Sequence, residues 1–182
     1  MNIVETERLI LRPLTPGDLD ALAEINSDPQ VMRYIGDGQP ASREHTAERL
    51  NFLVEHGRQY GFGAWAVWNK QSLSLIGFVA LIHLDGTTEV EVGYRLARDY
   101  WGKGFATEAA RASLRHGFQD LALDRIVAVV QPENIASQRV LEKLGLKYEK
   151  DARYYNADVK YYAIAREAYE PDGSFYSCKP EG

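Results

Sequence analysis

Residues 95–108 read Arg95-Leu96-Ala97-Arg98-Asp99-Tyr100-Trp101-Gly102-Lys103-Gly104-Phe105-Ala106-Thr107-Glu108. A β-rich run over 88–96 ends here and two glycines follow within three residues. Helical spacing then begins over 104–120, with Ala110, Leu114, Phe118 and Leu121 on one stripe. Strand, glycine turn and helix N-terminus in this order aim successive backbone N–H groups at one point, and the helix dipole adds to their field. Glycine lets an anion approach the backbone with no Cβ in the way. A pyrophosphate is the expected guest. A dinucleotide-binding fingerprint would need a third glycine where Thr107 stands. A P-loop would need glycine at Ala97, and serine or threonine at Gly104. A plain helix start with turning glycines accounts for the same residues, so the rest of the chain has to decide.

Working upstream, residues 7–14 read as a strand ended by Pro13, and Thr15-Pro16 with Asp18 as a helix start that Asp28-Pro29 stops. Gly36 to Pro40 is a loop. Ser42 opens a second helix, with Leu50, Leu53 and Val54 on its apolar face and Gly57 as terminator. β-rich stretches at 64–69, 73–83 and 88–96, joined by turns at Asn69-Lys70 and Asp85-Gly86, predict an antiparallel meander. Downstream lie a strand at 125–130, a helix at 134–144 capped by Asn134 and ended by Gly145, and strands at 146–153 and 158–168. The order β-α-α-β-β-β-α-β-α-β-β is mixed α/β, one domain over 1–170. The tail 171–182 is polar and is expected to be loose.

Composition narrows the function. The 182 residues are 45% hydrophobic and 26% charged, which excludes a disordered chain. A net charge of −5 argues against phosphate-driven binding of nucleic acid and favours a basic acceptor by steering. Cys178 is the single cysteine, and His45, His56, His83 and His116 show no ligand spacing, so no metal is expected. The first residues lack the pattern of a secretory leader. The longest apolar stretch, Leu75 to Leu84, is half the ~20 residues a membrane helix needs. A cytoplasmic protein with no membrane partner, monomeric or homodimeric, is the expectation.

A second segment, Asn134-Ile135-Ala136-Ser137 with Leu141-Glu142-Lys143-Leu144-Gly145-Leu146, follows the glycine turn by about 30 residues. Together with Trp101 to Ala109, with Glu7-Arg8-Leu9-Ile10-Leu11-Arg12 and with Glu91-Val92-Gly93-Tyr94-Arg95-Leu96, it resembles the GNAT superfamily of acyl-CoA-dependent N-acyltransferases over roughly 5–168. The nearest branch is that of the RimJ and RimL ribosomal-protein N-terminal acetyltransferases. The resemblance implies a central, mostly antiparallel twisted sheet of about six to seven strands with about four helices. It also implies acetyl-CoA as acetyl donor, and a primary amine as acceptor, possibly on a ribosomal protein N-terminus.

By the same resemblance the pyrophosphate sits on the amides of Trp101, Gly102, Lys103, Gly104, Phe105 and Ala106, with Thr107 as a hydroxyl donor. Asp99 departs from the Gln or Arg usual at its position, and the Lys103 charge is available to compensate. Backbone near Tyr94 and Leu96 holds the thioester arm, and an amide there stabilises the oxyanion. Asn134 contacts the cofactor and Ser137 protonates the departing thiolate, because Leu141 occupies the place where many members carry a tyrosine. An α-amine with a pKa of ~7.7–8.0 needs only a weak base. Glu91 is the first choice, with Glu89 and His83 as alternatives. Tyr154 and Tyr155, at the last hairpin, are candidates to line the acceptor cleft. Acetylation of a small amine, or acyl-CoA binding without catalysis, stays open beside the protein-acceptor expectation.

Overall fold

The runs of apolar, β-branched and aromatic residues in the middle third form the centre of the sheet, as their pattern predicts. In the computed structural model, which describes residues 1–180, these strands are β3 (Ala64–Asn69), β4 (Ser74–His83) and β5 (Val90–Leu96). Before them come β1 (Asn2–Glu5), β2 (Leu9–Pro13), α1 (Leu19–Ser27), a one-turn α2 (Pro29–Met32) and α3 (Arg43–Tyr60). After them come α4 (Phe105–Arg115), β6 (Arg125–Val130), α5 (Ile135–Lys143), β7 (Lys147–Tyr154), β8 (Ala157–Ala165) and β9 (Ser177–Pro180).

One sheet holds nine strands in the order β7-β8-β6-β5-β4-β3-β2-β1-β9. Every neighbouring pair is antiparallel except β5 and β6, which α4 connects by a crossover. The two strands beyond the expected seven are β1 and β9, and they pair with each other, from Asn2↔Pro180 to Glu5↔Ser177. The tail expected to be loose therefore closes the sheet edge. Its pairing runs through backbone groups that an edge strand leaves unmet, so it needs no apolar pattern. Residues 181 and 182 of that tail lie outside the described residues. Tyr176 adds a side-chain anchor, its hydroxyl donating to Asp120 at 2.5 Å, while His116 Nδ1 lies 2.8 Å from the same carboxylate. Cys178 comes within 3.7 Å of His116 Nδ1, an association of residues that spacing along the chain does not show.

Local differences have local causes. Asp28-Pro29 ends α1 but also starts α2, since the Asp28 carboxylate accepts the Gln30 N–H at 2.8 Å and proline fits a first helical position. The α3 helix runs past Gly57 to a left-handed cap at Gly61. A Cβ at Gly57 would lie 2.8 Å from Met1 Sδ, so this glycine serves close packing rather than termination. The last turn of the helix expected over 104–120 is a π-turn, His116–Asp120, closed by Leu121 N–H on His116 O at 3.0 Å.

Helices cover both faces. Phe105, Ala109, Ala110 and Leu114 of α4 and Leu141 of α5 bury Val90, Val92 and Leu96 of β5 on one side. Leu22 of α1 and Leu50 and Leu53 of α3 bury Ala64, Ala66, Ala80 and Ile82 on the other. Each such side chain contributes about 1.5–3 kcal/mol on burial if it is as large as valine or leucine. Two differently lined faces of β5 are the result, and the site uses both.

Candidate active site

Strand β5 keeps its antiparallel partner along its whole length, from His83↔Val90 to Gly77↔Leu96. On its other side it pairs with β6 only at Glu91↔Val127. Beyond Glu91 the two parallel strands part, and the second half of β5 has an open edge. Ala97 donates its N–H to Ile76 on β4, so by strand alternation Leu96 and Tyr94 turn their N–H and C=O groups to the open side. One of these groups is already engaged. The Trp101 indole donates to the Leu96 carbonyl at 2.9 Å, which fixes Trp101 over the strand end and occupies one of that carbonyl's two acceptor sites.

The glycine turn continues from this edge. A 3₁₀ turn, Arg98–Tyr100, leads to Gly102 and Gly104, with φ of 70° and 81°, conformations that L side chains rarely adopt. The first bond of the helix is Glu108 N–H on Gly104 O at 3.0 Å. Among the described residues, the N–H groups of Phe105, Ala106 and Thr107 find no acceptor, nor do those of Gly102, Lys103 and Gly104. A Cβ at Gly102 would meet nothing within 4 Å. A bare helix N-terminus with open space above it fits a diphosphate. Trp101 does not share in this cradle by its amide, which donates to Arg98 O at 3.0 Å. The Lys103 ammonium folds back onto the Asp99 carbonyl at 2.8 Å.

An ion pair that sequence reading missed holds the cradle in place. Glu108 accepts from Thr6 Oγ1 (2.7 Å), Arg8 N–H (2.9 Å) and Arg8 Nε (2.6 Å). The Arg8 guanidinium also donates to the Lys103 carbonyl at 2.9 Å and lies 4.3 Å from the Phe105 ring. The loop before β2 is thereby tied to the first turn of α4. Glu108→Ala removes three acceptor contacts at once and is expected to cost about 2–4 kcal/mol, read as a lower urea midpoint with an unchanged slope.

Ser137 lies in the first turn of α5, on the α4 side of the sheet. The Asn134 side chain caps that helix, its Oδ1 accepting Ser137 N–H at 3.2 Å; its Nδ2 has no partner among the described residues. The cap and a ligand contact are thus compatible, one on each atom of the amide. Ser137 Oγ meets the Tyr94 hydroxyl at 2.8 Å. Burial pushes the Tyr94 phenol up to about 12, so the pair is neutral and able to pass a proton. Leu141 is a core residue.

Glu91 lies on the opposite face. Its cross-strand partner is Ile82, and those of Gly93 and Arg95 are Ala80 and Phe78, all packed under α1 and α3. The carboxylate is buried and accepts the Tyr155 hydroxyl at 2.5 Å. Burial raises it to about 7, a rise that the Tyr155 bond and the Arg49 charge only partly offset. Tyr155 is placed by the β7–β8 turn, where it and Asn156 have φ of 53° and 58°, and by its own N–H on Asp85 at 2.9 Å. Tyr154 instead packs on Tyr161. The alternatives to Glu91 are engaged elsewhere. Glu89 accepts the Tyr161 hydroxyl at 2.5 Å, and His83 Nδ1 lies 3.2 Å from His56 Nε2.

The chain thus holds parted parallel strands, a set of free amides at the helix start after the gap, and a buried carboxyl on the opposite face of β5. The sequence pattern of the acetyltransferase (GNAT) domain matches residues 8–147. The chain belongs to the GNAT acetyltransferase family. It is 35% identical over 156 residues to the N-acetyltransferase YoaA of Bacillus subtilis, covering 84% of this chain and 87% of that protein. A GNAT-family acetyltransferase from Bacillus anthracis superposes with a TM-score of 0.78 at 33% identity, over 91% of this chain and 99% of that one. RimL, a ribosomal L7/L12 α-N-protein acetyltransferase solved with coenzyme A, shares the fold at a TM-score of 0.77 and 17% identity, covering 91% and 99%. The chain is thus an N-acetyltransferase. No helix of the described residues is long and apolar enough to cross a membrane.

If the cradle holds a diphosphate, Gly104→Val should abolish the rise in Tm that coenzyme A produces in the parent protein, because a ligand selective for the native state stabilises it. The β-branched side chain at a φ of 81° costs about 1–3 kcal/mol of stability on its own account. The comparison is therefore made on each protein's own shift. An unchanged shift in the variant places the cofactor elsewhere.

Proposed function

We propose that the protein transfers the acetyl group of acetyl-CoA to a primary amine, the first candidate being the α-amine of a protein N-terminus of the ribosomal type. The observation that carries this is the opening between β5 and β6, with the free amides of 102–107 at its mouth, Glu91 on one face and the Tyr94–Ser137 pair on the other. When bound, the donor supplies a thioester, an acyl group already activated for attack by an amine. The residues do the rest. Amides 102–107 with Asn134 Nδ2 bind and orient the nucleotide end. The Tyr94 N–H, on the open edge of β5, stabilises the oxyanion in this reading. Glu91, near pKa 7, takes a proton from the acceptor ammonium, with Tyr155 orienting its carboxylate. As the C–S bond breaks, Ser137 hands a proton to the departing thiolate and recovers one from Tyr94, which solvent reprotonates once the thiol has left.

The protein-acceptor choice rests on the motifs Glu7 to Arg12 and Glu91 to Leu96, which resemble the RimJ and RimL branch. Free thiol released from acetyl-CoA, followed with peptides copied from ribosomal protein N-termini and with small amines, tests it. Turnover with peptides only is the expected result. Turnover confined to small amines would reassign the acceptor, and no turnover with any amine would leave a binding module.

A further inference from the structure

The face of β5 that carries Glu91 ends in a cation without a counter-ion. Arg95 is sunk between α1 and the sheet. Its Nη1 donates to Asn26 Oδ1 at 2.7 Å, and the guanidinium lies 5.4 Å from the Phe78 ring. The Asn26 amide is itself oriented by donating to Thr46 on α3 at 3.2 Å. Arg95 Nε is shut off from solvent and has no hydrogen-bond partner, and no carboxylate pairs with this guanidinium among the described residues. Burial with no anion lowers its pKa to about 10, which leaves it charged at neutral pH. A buried donor without an acceptor costs stability, and a buried charge without a partner costs more. An incoming acceptor on a ligand would offset that cost.

Two further observations point into the same space. Arg49 of α3 lies close enough to act electrostatically on Glu91, Tyr155 and Arg95, and likewise has no ion-pair partner among the described residues. Gly93, between Glu91 and Arg95 on the strand, would meet nothing within 4 Å if it carried a Cβ. The floor between the base and the buried cation is therefore open. Two acids belong to this corner. Asp85 is taken by the Tyr155 N–H, and Glu91 is only half ionised at neutral pH. The cleft is cationic inside a chain of net charge −5, opposite to what the overall charge led us to expect of the acceptor.

We infer that the acceptor amine carries a carboxylate, which Arg95 binds with Arg49 beside it, while the amine lies over Gly93 within reach of Glu91. This rests on the acetyl-transfer function proposed above and narrows its substrate class. Two residues along a strand span roughly 6–7 Å, so the carboxylate stands about that far from the nitrogen. An acidic side chain next to a peptide N-terminus and a free amino acid with a chain of four or five bonds both meet this distance.

The test uses acceptors that differ only in charge. In one arm kcat/KM is measured with 5-aminopentanoate, its carboxamide and 1,5-diaminopentane, and in the other with a Ser-Asp-Ala peptide amide against Ser-Asn-Ala. The carboxylate member of at least one arm is expected to be preferred by about 10- to 100-fold, the range for a hydrogen bond to a charged group, and the arm identifies the source. In Arg95→Gln the ratio of carboxylate to carboxamide turnover falls to within about 2–3-fold by the loss of that same bond, whatever the variant's overall rate. Should Arg95→Gln fold poorly, Arg49→Gln reads the same ratio from α3, where a partial loss is expected. Equal turnover of acid and amide, preference for the diamine, or a preference that survives both substitutions overturns the inference. Inactivity of every amine also overturns it. If coenzyme A still raises Tm in that case, the cofactor site stands. If it does not, the function proposed above falls as well.

Discussion

Ser137→Ala is expected to lower kcat by at least tens of fold, within the roughly 10²–10⁴ that general acid catalysis supplies, while the coenzyme A shift in Tm stays near that of the parent. The hydroxyl lies in the first turn of α5, 2.8 Å from the Tyr94 hydroxyl, whereas the amides that hold a diphosphate belong to α4. Chemistry and cofactor affinity should therefore separate. Tyr94→Phe sharpens the result. It leaves Ser137 in place but removes the group that returns its proton, so an intermediate loss in kcat is expected. Equal losses in the two variants and in the double variant would show the pair acting as one unit. A Ser137→Ala enzyme with kcat near the parent value, under conditions where product release does not limit turnover, leaves solvent as the proton source and removes the role.

Much of this was legible in the sequence because it is local. The meander 64–96, the crossover through α4 and the two helix starts at Ser42 and Asn134 each follow from spacing and caps within a dozen residues, and the structure places them within a few positions. Gly102 and Gly104 were legible for the same reason, since a turn that needs positive φ announces itself by glycine. What escaped is what the tertiary fold assembles. Nothing near Glu108 in the sequence marks it, because its partners Thr6 and Arg8 lie a hundred residues away. Tyr155 was one of several tyrosines on the last hairpin, and only the turn geometry brings its hydroxyl, and not that of Tyr154, to Glu91.

Arg95 shows the limit most clearly. On a strand with Glu91 and Gly93 it read as part of a family motif, because alternation says which residues share a face but not which face is closed over. That depends on α1 and α3, whose Asn26 and Arg49 approach it from distant parts of the chain. The short β9 strand escaped for a different reason. Its stabilisation is backbone pairing plus one tyrosine anchor, and neither leaves a periodic trace.

Glu91→Gln is expected to lower kcat/KM by about 10²-fold or more and, above pH 7, to make the protein more stable. Both follow from one buried carboxyl. Burial raises its pKa in the folded protein to about 7 from an ordinary value of 4.5. Between those values the native state holds a proton that the unfolded chain has released, so stability falls as pH rises across the window. Above pH 7 the loss nears its full size, about 3 kcal/mol from the gap between the two values at 1.36 kcal/mol per pH unit. Glutamine keeps an acceptor for the Tyr155 hydroxyl and has no charge to bury, so the penalty disappears. Thermal melts at pH 5 and pH 8.5 read this directly. The variant's advantage should be small at the lower pH and several degrees at the higher, since about 1 kcal/mol moves Tm by 2–4 °C in a chain of this size. The pH profile of kcat/KM supplies the second readout. With Glu91 as base the parent rises through two ionisations, one near 7 and one from the acceptor amine, and the variant retains only the amine. An activity that survives the substitution with both ionisations intact hands the proton to water and takes Glu91 out of the chemistry. The stability crossover would still stand, because it depends on the burial of the carboxyl and not on what it does to a substrate.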